Sequence, residues 1–132
     1  DDLLPLAGQL NLTDDLQLRV WEDVIRYAPG GLDTLTLALR FGIRRETLSR
    51  RFAAGGAPSL KRAMDAVRLV AAAQLLGNPG YRVEDAARLL HFSSVTLLQH
   101  TARRTFGVSA REIATMDAER IAQVLVAAPI WR

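Results

Sequence analysis

The side chains in this sequence best suited to chemistry are arginines, and they gather in two places. Arg44, Arg45, Arg50 and Arg51 lie within Leu35 to Phe52, and Arg88, Arg103 and Arg104 within Val83 to Thr105. Residues 32 to 113 carry thirteen Lys or Arg against six acids, net +7, whereas residues 1 to 31 carry two arginines against six acids, net −4. Guanidinium groups concentrated in this way suit contact with a phosphate backbone. Other chemistries lack their residues. There is no cysteine, which excludes disulfides, thiolate metal sites and thiol nucleophiles. His91 and His100 are the only histidines, with no acidic partner spaced for coordination, so no metal is expected. No Ser-His-Asp order, paired carboxylates or Gly-rich phosphate loop stands out, and neither an enzyme nor a cofactor is expected.

The two segments repeat one layout, which says how their side chains would be positioned. Each reads as a short helix, a tight turn and a second helix with a polar or basic exposed side. Ala38 matches Ala87, and Phe41-Gly42 stands where Leu90-His91 stands, an offset of 49 residues. A repeated helix-turn-helix implies contact with two successive stretches of DNA.

The rest of the chain supplies elements to hold this pair. Thr13 can cap a first helix carrying Val20, Trp21, Val24 and Ile25, ended by Pro29-Gly30-Gly31. A helix from about residue 33 to 40 would bury Leu35, Leu37 and Ala38, and the turn at Gly42 starts a second near Arg45, with Leu48 and Phe52 inward. Ser59 can cap a long helix from Leu60 to Leu76, with Gly77 as its stop. Its 17 residues at ~1.5 Å each give a rod of roughly 25 Å. With the helices at either end, the two exposed faces could lie near one DNA turn apart, ~34 Å. The second pair follows, with Ser93 or Ser94 as cap and Leu97, Leu98 and Phe106 inward. Ser109 and Glu112 have capping-box spacing ahead of a short helix, and a last amphipathic helix carries Ile121, Val124 and Leu125 and stops before Pro129. The apolar stripes of the first and last helices read as core, or else as a dimer or partner surface. Nothing favours a sheet.

The longest apolar stretches, Leu69 to Leu76 and Val124 to Trp131, are far shorter than the ~20 residues that span a bilayer, and no leader precedes them. A cytoplasmic protein without a membrane partner is expected. The chain opens on Asp1 instead of Met, so a fragment lacking a regulatory half is also expected.

Leu37-Ala38, Gly42, Leu48-Ser49-Arg50 and Phe52, then Arg68, Ala72 and Leu75-Leu76, then Ala87, Phe92-Ser93 and Phe106-Gly107-Val108-Ser109 resemble the DNA-binding domain of the AraC/XylS transcription regulators of bacteria. The resemblance covers about residues 32 to 113. It implies an all-α fold of two helix-turn-helix units (33–56 and 82–107) joined by a linker helix (59–77) and followed by a closing helix (109–115). Residues 1–31 then form an N-terminal helix and linker, a remnant of a missing regulatory part, and residues 116–132 a C-terminal helix. By position, the resemblance places Glu46, Ser49 and Arg50 toward base edges with Arg44 and Arg45 near phosphates. In the second unit the matching positions are Val95, Thr96, Gln99 and His100, with Arg103 and Arg104 near phosphates. Arg50 suits guanine O6 and N7, Gln99 adenine, and Val95 or Thr96 a thymine methyl. The implied partner is double-stranded DNA, with RNA polymerase, a regulatory domain or a second copy as further partners.

This chain departs from the family pattern at several positions. His91 stands where glycine is usual, so it must take a positive φ or reshape the turn. Ala102 replaces an aromatic, Ala110 a proline and Arg44 a capping serine, and Arg82 has no cap oxygen. The alternative reading is a protein-interaction module that kept the fold and lost its hold on DNA.

Overall fold

In a computed structural model, residues 3–127 are described, and they are all-helical with no strand among them. Asp1, Asp2 and the end of the 116–132 segment, including the stop at Pro129, lie outside the described residues. Eight α-helices follow in order: α1 (Asp15–Tyr27), α2 (Thr34–Phe41), α3 (Arg45–Phe52), α4 (Leu60–Leu76), α5 (Val83–Leu89), α6 (Val95–Phe106), α7 (Ala110–Ile113) and α8 (Ala118–Val126). Short 3-10 turns at Leu4–Ala7, Ala28–Gly30 and Ala54–Gly56 complete the chain.

Helix starts follow local side-chain chemistry. Ser59, Ser94, Ser109 and Asp117 cap α4, α6, α7 and α8, each accepting a backbone N–H three residues on. The cap of α1 is Asp14, not Thr13: its carboxylate accepts the Gln17 N–H at 2.7 Å, while Gln17 Oε1 accepts the Asp14 N–H at 3.1 Å. Gln17 is itself buried and donates through Nε2 to the Phe52 and Ala54 carbonyls, so the box also clamps the end of α3. An acceptor at position three, absent after Thr13, decided the register.

The first unit packs α1, α2 and α3 around Val20, Trp21, Val24, Leu37, Leu48 and Phe52, none more than 1% exposed. Residues 3–31 therefore enter this unit through α1, and Trp21 Nε1 donates to the Leu3 carbonyl at 3.2 Å. The segment before α1 contributes Leu3, Leu6, Leu10 and Leu12 to the core. A 3-10 turn has no amphipathic period of useful length, so these leucines gave no pattern in the sequence. The apolar stripes on α1 and α8 are both spent on packing within the chain, with Ile121, Ala122 and Leu125 buried.

Two leucines assigned inward lie outward. Leu35 is 53% exposed because α2 turns Leu37 and Ala38 to the core, and a residue two before Leu37 lands on the far face. Leu97 is 40% exposed, since Leu98, Thr101, Ala102 and Thr105 carry the buried stripe of α6. The linker helix α4 runs unbroken between the units and packs on α1 and α3 at one side and on α5, α6 and α7 at the other.

Candidate nucleic-acid interface

The two turns that aim α3 and α6 are built by the same hydrogen bonds. In the first, the Gly42 N–H donates to the Leu39 carbonyl at 3.2 Å and the Ile43 N–H to Ala38 at 3.2 Å. In the second, the His91 N–H donates to Arg88 at 3.3 Å and the Phe92 N–H to Ala87 at 2.8 Å. Every atom pair is offset by 49 residues. The pivots agree as well: φ is 66° at Gly42 and 65° at His91. His91 thus adopts the left-handed conformation that its place in the turn requires, and the turn keeps its shape. Beyond the pivot the second turn holds one more residue. Arg44 is the N-cap of α3 and Ser94 that of α6, so positions along the two helices correspond at an offset of 50.

On α3, Leu48 and Phe52 face the core, Arg45, Glu46 and Arg50 are exposed and Ser49 is half-buried. Arg44 is exposed and makes no side-chain cap. Arg50 and Arg51 lie in the last turn of α3, where cations favour the helix dipole. On α6, Thr96, His100 and Arg103 are exposed, while Val95 and Gln99 are half-buried. The candidates on each helix therefore share a face. Their freedom differs. Gln99 Oε1 accepts the Ala110 N–H at 3.2 Å, so the acceptor of this amide already serves the start of α7. Arg104 Nη2 lies 3.8 Å from Asp65 Oδ2, an ion pair with the linker helix.

Asp65 is the buried centre of that corner. It is 4% exposed and also receives Lys61 Nζ at 2.9 and 3.0 Å. Its signal in the sequence was an acid amid the apolar residues of α4. Two arginines on the same helix add to the seam at spacings of three. Arg62 Nη2 donates to the Val124 carbonyl at 2.8 Å and to Thr105 at 3.4 Å. Arg68 donates from Nε and Nη2 to the Leu90 carbonyl at 3.0 and 2.9 Å and from Nη2 to the His91 carbonyl, with its guanidinium 4.1 Å from the Phe92 ring centre. Burial pulls both arginines below the usual guanidinium range. Arg68 is thereby the anchor of the second turn.

At the start of α5, where Arg82 offers no cap oxygen, Asp85 Oδ2 accepts the Arg82 N–H at 2.9 Å. That bond holds the Asp85 carboxyl below its ordinary range, with the Arg88 contact at 3.3 Å adding to it. Glu112 is lowered in the same way by the Ser109 N–H. Among the described residues no group of His, Asp and Glu is arranged to hold a metal ion, and no helix is long and apolar enough to cross a membrane.

A family model described as a helix-turn-helix domain, of the AraC type, matches residues 37–116. The chain belongs to the AraC-type helix-turn-helix family. Comparison with curated proteins and with solved structures gave no match. An AraC-type domain is a DNA-binding part of transcription regulators, a class that is typically non-enzymatic. The matched span begins at Leu37 inside α2 and ends at Met116, so α1, which completes the core of the first unit, and α8 both lie outside it.

Proposed function

We propose that this AraC-type domain binds double-stranded DNA in a sequence-specific way, with α3 and α6 entering successive major grooves. The observation that carries this reading is the doubled turn: two pivots with the same φ and the same hydrogen bonds each present a helix with an exposed polar face. The continuous α4 between them supports a fixed separation. Arg44, Arg45 and Arg103 supply phosphate contacts, which confer affinity and salt dependence. Glu46, Ser49 and Arg50 read one block, and Arg50 pairs bidentately with a guanine. Val95, Thr96 and His100 read the other, joined by the amide donors of Gln99. Arg104 divides its charge between the backbone of DNA and Asp65.

Selection of bound duplexes from a random pool tests the proposal. It should return a motif of two short blocks about one helical turn apart. Binding with a steep salt slope but no enriched sequence would reduce the domain to a non-specific DNA binder. Absence of any salt-dependent duplex binding would favour the protein-interaction reading.

A further inference from the structure

His91 holds a backbone conformation that a side-chain-bearing residue adopts at a free-energy cost, and glycine would hold it freely. Its ring has a specific neighbour in the other unit. Gly31, in the turn between α1 and α2, lies directly under the imidazole: a Cβ built on Gly31 would sit 3.2 Å from His91 Cγ and 3.3 Å from Nδ1. Gly31 itself has φ 98°. His91 is exposed as a residue, but its ring faces the bare Cα of Gly31 across a space that any other residue at position 31 would fill. On its far side the same residue is tied to α4, since the His91 carbonyl accepts from Arg68. The 3-10 turn at Ala28–Gly30 also packs on α4. First unit, linker helix and second turn therefore close a triangle, in which the His91 ring joins the two units without passing through α4; a separate contact, of α8 with the turn at Leu4–Ala7, lies on the other side of the linker helix.

We infer that His91 is a positioning residue, a strut whose ring on Gly31 holds the second helix pair in one pose relative to the first. A helix packed along both units resists rocking about its own axis weakly, because its contacts lie close to that axis; a contact away from the axis opposes the motion with a longer lever. In the proposed function this pose sets which spacing of the two DNA blocks is accepted, and only that consequence rests on the DNA reading.

The chain has no cysteine, so a pair of spin labels can be placed at Leu39→Cys on α2 and Glu84→Cys on α5, both exposed. The readout is the width of the label-to-label distance distribution in the protein without DNA. His91→Gly relieves the backbone and removes the ring, and His91→Asn keeps a side chain that tolerates positive φ but does not reach Gly31. Both should widen the distribution while the Tm stays within about 3 °C of the parent. His91→Phe, which restores a flat ring, should narrow it again. In parallel, discrimination against duplexes with the blocks one base pair further apart should fall about fivefold in His91→Gly, the low end of site-to-site couplings.

Unchanged widths in both His91→Gly and His91→Asn would overturn the strut. If the widths respond while the parent protein itself accepts every spacing equally, the strut stands and the two-block DNA reading falls.

Discussion

The first helix-turn-helix unit and the second solve the same geometric problem with different materials. The first is filled by large apolar side chains from three helices, with Trp21, Leu37, Leu48 and Phe52 fully enclosed. In the second, α5 buries two alanines and Leu90, Phe92, Leu98 and Phe106 fill the rest, while charged side chains of α4 grip backbone carbonyls at Leu90, His91 and Thr105, and at Val124 of α8. Arg111 adds a bond in the reverse direction, from Nη1 to the Leu76 carbonyl at 3.2 Å. Apolar burial is non-directional and supplies stability; hydrogen bonds to fixed carbonyls specify angles. The comparison teaches that both units are filled by apolar bulk, and that the second relies more on cationic grips from α4 for its direction.

Trp21→Ala attacks the bulk and should show the largest effect. Loss of a buried indole and its bond to the Leu3 carbonyl should destabilise the fold by about 3 to 5 kcal/mol, measured by denaturant unfolding. If the protein lost less than a third of that, the first unit would not be the main store of stability. Arg68→Met attacks the direction. Removing charged hydrogen bonds to Leu90 and His91 should cost about 2 to 3 kcal/mol. Hydrogen exchange should locate that loss in α5 and α6, and equal loss of protection in α1 would erase the contrast between the units.

Arg50→Ala tests function without touching either core. Duplex affinity should fall by about 1 to 3 kcal/mol, with base preference relaxed in one block only. Relaxation in both blocks would mean that the faces do not read independently. The smallest expected effect is a pH dependence. Carboxyls held below their unfolded values stabilise the fold above about pH 4, and that contribution disappears as pH drops through their lower folded values. Asp85 and Glu112 are of this kind in and beside the second unit, against Asp33 at the start of α2 in the first. Backbone NMR shifts of Arg82 and Ser109, whose N–H groups the Asp85 and Glu112 carboxylates accept, should therefore titrate only below pH ~4. Titration of those amides at or above the ordinary carboxyl range would show that the two caps do not contribute.

Much of this architecture was readable from the residues. Leu60–Leu76 appears as expected, because Ser59, the apolar period and Gly77 are all local signals. The repeat also survives in atomic detail, and of the two outcomes open at His91, a positive φ or a reshaped turn, the backbone adopts the positive φ. The leucines before α1 were not legible, since irregular backbone leaves no period. Leu35 and Leu97 were misplaced because a run of apolar residues on a short helix does not say which of them faces in. At the candidate interface Arg50 and His100, placed outward by the resemblance, are both exposed. The engagement of Gln99 and Arg104 was not legible, for their partners lie on other helices.

Sequence by itself determined helix content, caps, the duplicated turn and the surplus of positive charge between residues 32 and 113. These follow from groups a few positions apart, whose encounters are set by covalent connection and helical period. Only tertiary structure decided that α1 completes the first core, that Asp65 is buried between cations, and that the His91 ring lies on Gly31. Those meetings join residues from 35 to 62 positions apart for the bonds of Gln17 and Arg62 alone. The shape of the whole chain, not any local preference, brings such partners within reach.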